Sequence, residues 1–133
     1  MKKTELRTPC FIIQKDKLIH NLEILHEIKA RTGCKILLAQ KCFSMYALYP
    51  LIGQYVDGCT ASGLFEARLG REEMNKENHV FSPAYREDEI DEIIDYCDDI
   101  IFNSFSQLSK YQSSVLEIHK SFGLIINPVR SMQ

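Results

Sequence analysis

The chain has 133 residues, is 45% hydrophobic and 26% charged, and carries a net charge of −2 at pH 7. That balance suits one globular domain with a buried core. It excludes a basic field that would recruit nucleic acid, and no apolar run nears the roughly 20 residues that span a bilayer.

The N-terminal stretch "MKKTELRTPCFIIQKDK" is basic, but its apolar part is only Cys10–Ile13, too short for the core of a signal peptide. The five cysteines (Cys10, Cys34, Cys42, Cys59, Cys97) are odd in number and lack CxxC spacing. Free thiols in a reducing cytoplasm are expected, rather than a disulfide framework or a zinc site. His20, His26 and His119 fall on predicted helices without metal-ligand spacing.

Short apolar runs alternate with segments of helical period. "CFIIQ" (10–14) reads as a strand. A helix follows from Asp16 with Leu18, Leu22, Leu25 and Ile28 on one face, stopped at Gly33. "KILLAQ" (35–40) is the next strand, and "SMYALYPLIGQY" is helical in pattern, shortened or bent at Pro50. Then come strand "DGCTAS" (57–62), helix "GLFEARLGREE" (63–73) and strand "HVFS" (79–82). Helix "REDEIDEIIDYC" (86–97) carries Ile90, Ile93, Ile94 and Cys97 as a buried stripe. Strand "DDIIFN" (98–103) precedes a helix opened by Ser104 and Gln107 at capping-box spacing. "GLIIN" (123–127) is the last strand.

This alternation predicts parallel strands joined by right-handed βαβ units, buried on both faces. Beyond the first strand and helix there are four βα units and a fifth strand. Two architectures fit: an open doubly wound sheet, or the first half of a (β/α)8 barrel. Neither a GxGxxG nor a GxxxxGK[ST] loop follows any strand.

In such folds chemistry gathers at the C-terminal strand ends. "KILLAQK" ends its strand on Lys41. A primary amine there is a nucleophile toward aldehydes wherever partial desolvation favours its neutral form. The plainer reading is a lysine that begins a loop and reaches water. Thr60 and Ser62 end the following strand and either line a pocket or cap a helix. Glu66 stands early in the next helix, near a cofactor or in favour with the helix dipole. His79 is expected at the opposite end of its strand, and Phe43, Tyr46 and Tyr49 are expected to pack between strands and helices. Cys42 is expected to be a packed thiol.

"TPCFIIQKDKLIHNLEILHEIKARTGCKILLAQKCFS" resembles the N-terminus of the carboxynorspermidine (carboxyspermidine) decarboxylases, of the alanine racemase-like, ornithine/diaminopimelate decarboxylase-type fold. The resemblance continues in register through "DGCTASGLFEARLG", "HVFSPAY", "DDIIFNSFSQLSKY" and "GLIINP". It implies the N-terminal part of a TIM barrel, incomplete in this chain. It assigns residues 1–15 to a strand of a missing β-sandwich domain, and residues 16–133 to a partial barrel that binds pyridoxal 5′-phosphate. Lys41 would hold the cofactor as an internal aldimine, with Glu66 and Thr60 as further cofactor-binding positions. The implied reaction is decarboxylation to norspermidine or spermidine in the cytoplasm. Its partners would be a small polyamine precursor and, for full-length members, a second subunit in a homodimer, with no nucleic acid, membrane or metal. The family reads "GLRINP" where this chain reads "GLIINP", so Ile125 stands at an arginine position, and Arg130 lies beyond the strand. Gln40 stands where the family favours an apolar residue. The isolated chain is expected to lack full activity, since the phosphate loop and the partner of the pyridine nitrogen would come from the absent part.

Two other readings compete. One is a non-catalytic barrel that only carries the cofactor, which the leading strand argues against. The other is a small doubly wound binding domain, which would want acidic strand ends. Asp57, Asp98 and Asp99 fall at strand starts instead.

Overall fold

The computed structural model describes residues 7–126. Helix α1 (Lys15–Thr32) is followed by strand β1 (Leu37–Ala39) and a short helix α2 (Tyr49–Ile52) entered through a 3₁₀ turn, Tyr46–Leu48. Then come β2 (Gly58–Ala61), α3 (Leu64–Leu69) running into a π-helical turn (Gly70–Met74), and β3 (Glu77–Phe81). The series closes with α4 (Ile90–Tyr96), β4 (Asp99–Phe102), α5 (Phe105–Glu117) and β5 (Ser121–Leu124).

All five strands pair in parallel, in the order β1-β2-β3-β4-β5. A doubly wound sheet reverses direction at a switch point. This one never does, so each crossover steps the same way, as in a barrel. Among the described residues the sheet is not closed, and β1 and β5 are its edges.

The helix layer covers one face. Asn78, Val80, Ile100 and Phe102 are buried there, in register with the apolar stripe Ile90, Ile93, Ile94 and Cys97 of α4. Phe102 is fully buried among the rings of Tyr85, Tyr111 and Phe122. A second cluster gathers Leu22, Tyr49, Ile52, Val56, Cys59 and Met74. The alternating residues Thr60, Glu77, His79, Phe81, Asp99 and Ile101 are only half-buried and form the opposite face.

Local signals explain the element ends. Gly33 stops α1 in the left-handed region at φ 71°, its N–H returning to the Lys29 carbonyl at 2.9 Å. Ser104 Oγ accepts from Gln107 N–H at 3.3 Å as an N-cap does, while Gln107 Oε1 reaches past the N-cap N–H of the expected capping box to that of Asn103 at 2.9 Å.

Several expectations are corrected. Cys10–Gln14 forms no strand, because among the described residues no neighbouring strand offers it a ladder; Phe11 is 95% exposed. On α1 only Leu22 is buried, and Leu25 and Ile28 are exposed because nothing described packs over that face. Strand β3 begins at Glu77, so His79 sits mid-strand, its Nε2 2.8 Å from Glu77 Oε1. The last strand is Ser121–Leu124, starting two residues and ending three residues before the expected 123–127, although Ile125 N–H still reaches Phe102 O at 2.9 Å. Tyr46 and Cys42 are exposed rather than packed, since both lie in the turns after β1. Asn127, Pro128 and Arg130 lie outside the described residues. No helix among the described residues is long and apolar enough to cross a membrane.

Candidate active site

The C-terminal tips of β1, β2 and β3 form a small recess of about 60 Å³ lined by Ala39, Lys41, Thr60, Ala61, Ser62 and Phe81. Parallel pairing in register makes it. Ala39 lies opposite Thr60, and Ala61 opposite Val80, so the three tips end side by side. Small residues at Ala39 and Ala61 leave room between them. Lys41, two residues beyond Ala39, occupies an exposed turn on this rim. That turn is fixed by Cys42 N–H to Ala39 O at 3.0 Å and Phe43 N–H to Gln40 O at 3.0 Å.

Two of the three residues chosen from the sequence, Lys41 and Thr60, therefore meet, and Ser62 joins them. Glu66 does not line the recess. Its carboxylate accepts the Ser62 N–H at 2.6 Å, so it holds the loop that does. That bond ties the residue before the N-cap to the first turn of α3, whose N-cap, Gly63, has no side chain of its own.

Beneath Lys41 lies a polar group that the sequence did not announce. Gln40 and Asn78 are both fully buried. Gln40 Nε2 donates to Glu66 O at 2.8 Å, and Gln40 Oε1 accepts from Tyr49 Oη at 3.2 Å. Asn78 Nδ2 donates to Ala67 O at 2.7 Å and Tyr96 O at 3.1 Å, and Cys59 Sγ donates to Asn78 Oδ1 at 3.2 Å. Burial pushes the Tyr49 hydroxyl up to about 12 and the Cys59 thiol up to about 11, so both remain protonated donors. Gly70 closes the group from α3's side. A Cβ there would collide with Cys59 Sγ, Asn78 Oδ1 and Gln40 Nε2. A polar residue ending an apolar strand run was the available signal, because a buried amide requires partners.

A primary amine on a recess also lined by Thr60 and Ser62 can condense with an aldehyde. Pockets for whole cofactors usually exceed ~300 Å³, so five strands supply only part of such an enclosure. Among the described residues no cluster of three metal-ligating side chains occurs.

No protein-family profile matches the chain. It is 41% identical over 123 residues to the carboxynorspermidine/carboxyspermidine decarboxylase of Herminiimonas arsenicoxydans, covering 92% of this chain and 33% of that protein. It is 42% identical over 123 residues to the enzyme of the same name from Campylobacter jejuni subsp. jejuni serotype O:6, covering 92% and 32%. Identity is 36% over 125 residues to the carboxyaminopropylagmatine decarboxylase of a Synechocystis species, covering 94% and 32%. The crystal structure of the Campylobacter jejuni carboxynorspermidine decarboxylase complexed with norspermidine superposes with a TM-score of 0.85 at 42% identity, covering 89% of this chain and 32% of that one. The chain thus spans about a third of the length of the relatives it matches, and it is similar to the N-terminal part of their barrel.

Proposed function

We propose that this chain forms the lysine-bearing part of a pyridoxal phosphate-dependent decarboxylase of a carboxylated polyamine, carboxynorspermidine or carboxyspermidine, releasing norspermidine or spermidine. The observation that carries the reading is the place of Lys41, on the strand-tip rim beside Thr60 and Ser62, in a fold shared at 42% identity with a norspermidine-bound decarboxylase. When bound, the pyridinium ring supplies the electron sink for decarboxylation. Lys41 holds the cofactor's aldehyde end through its amine. Thr60 and Ser62 line the same recess, and Glu66 fixes Ser62 through its backbone N–H.

Residues 1–15 belong, in this reading, to a sandwich-type second domain; the exposure of Phe11 and Ile12 supports that. The 133-residue polypeptide by itself turns over little or no substrate, because its sheet is not closed among the described residues and its recess encloses too little. A homodimer and a cytoplasmic site of action complete the reading.

The test is to add pyridoxal phosphate to the purified chain, reduce with borohydride, and map the modified peptides. Label concentrated on Lys41, and lost in Lys41→Ala, is expected. Label spread evenly over surface lysines in both proteins sinks the proposal. Carbon dioxide release from carboxynorspermidine, measured on the same chain, is expected to stay at background.

A further inference from the structure

We infer that Gln40 is a positioning residue for Lys41: its buried amide, clamped between Tyr49 Oη and the Glu66 carbonyl, fixes the turn that carries the amine. The inference rests on the proposed role of Lys41.

Four elements hold Gln40. Its backbone N–H donates to Thr60 O at 3.2 Å, tying it to β2, and its backbone carbonyl accepts from Phe43 N–H at 3.0 Å within the turn. Its side chain takes the Tyr49 hydroxyl at 3.2 Å from α2 and gives its amide proton to Glu66 O at 2.8 Å on α3. The Tyr49 proton also has Phe43 O at 3.4 Å, a longer alternative within the same turn. Lys41 is thus bracketed by a fully buried neighbour on one side and by the Cys42 N–H bond to Ala39 O on the other.

The clamp also joins residues that the proposed chemistry uses separately. Glu66 receives Gln40 on its carbonyl and holds Ser62 on its carboxylate. A shift of Gln40 would therefore move the root of Lys41 and the Ser62 side of the recess together. A lysine's long stem is flexible, so fixing its root narrows the volume its amine samples. An apolar side chain of equal length would leave Glu66 O and Tyr49 Oη without these partners in a site too tight for water, since Gly70 must lack a Cβ even for the present packing.

Two variants test this. Gln40→Met keeps length and removes both side-chain bonds; Tyr49→Phe removes one oxygen. The probes are pyridoxal phosphate with borohydride trapping, read as apparent affinity and share of label at Lys41, and amide hydrogen exchange of residues 41–43 without any cofactor. Folded Gln40→Met is expected to lose about tenfold in affinity at Lys41, to scatter label onto surface lysines, and to exchange faster at residues 41–43. Tyr49→Phe is expected to do the same at about threefold, roughly the weight of one neutral buried hydrogen bond. Wild-type labelling and exchange in folded Gln40→Met overturn the inference. Should that variant not fold, unchanged labelling and exchange in Tyr49→Phe overturn it. If wild type fails to label Lys41, the functional reading falls, and the exchange measurement still decides the clamp.

Discussion

The two rims of the sheet are built differently. At the N-terminal rim, charge is matched strand by strand. Lys29 pairs with Asp57 at 2.6 Å, Lys35 with Glu77 at 2.7 Å, and Arg71 with Asp98 at 2.8 Å. Asp57 also accepts Ile36 N–H and Asp98 accepts Asn78 N–H, both at 2.9 Å, while Lys120 and Lys76 bond the carbonyls of Cys97 and Val56. At the C-terminal rim, Lys41 forms no ion pair among the described residues, and Phe65 and Phe105 stand exposed where α3 and α5 begin. One rim spends its charged groups on holding strands together. The other leaves its amine free to meet something else, the division expected of a parallel α/β fold whose chemistry lies at the strand tips.

That contrast breaks or sharpens under substitution. The yardstick lies between the rims: Phe102→Ala removes a fully buried ring and is expected to destabilise by about 3–5 kcal/mol in urea unfolding. At the N-terminal rim, Asp98→Ala deprives Asn78 N–H and the Arg71 guanidinium of their acceptor. With Asp98 partly exposed, about 1–2 kcal/mol is expected by the same measurement.

Acid should act on the same rim. Burial raises the proton affinity of Asp98, but the Asn78 N–H and Arg71 outweigh it and hold the carboxyl below its ordinary range. The Lys29 and Ile36 N–H bonds do so for Asp57, and Lys35 and His79 for Glu77. The unfolded chain then takes up these protons more readily than the folded one. Stability is complete above the ordinary carboxylate pKa of about 4 and falls as pH drops through the lowered folded values. Circular dichroism against pH should show that loss, and it should be shallower in Asp98→Ala. The smallest effect is expected at the other rim: Lys41→Ala should leave stability within about 0.5 kcal/mol while abolishing the Lys41 label. A large loss of stability there would make Lys41 structural and erase the contrast.

The helix stripe of α4, the N-cap at Ser104 and the glycine stop of α1 were legible because each is a local pattern of side chains. The place of Lys41 just past a strand tip was legible too, since strand and rim follow from the same alternation. Leu25 and Ile28 misled, because periodicity states which face is apolar but not whether anything covers it. "CFIIQ" misled likewise, for a strand needs a partner and its own sequence cannot supply one. The clamp around Gln40 escaped because its parts lie 9 and 26 residues away in the chain. Only the fold brings Tyr49, Glu66 and the bare Cα of Gly70 to one amide.

The alternation of side chains along β1 has a consequence for evolution by insertion. Gln40, the residue after β1, is fully buried against Tyr49, and Lys41 stands exposed in the turn that follows. One residue gained or lost within β1 would shift the strand's register against β2 and pull Gln40 out of its clamp and Lys41 off the rim. Changes of length in this short strand should therefore be selected against even where they leave the helix layer untouched.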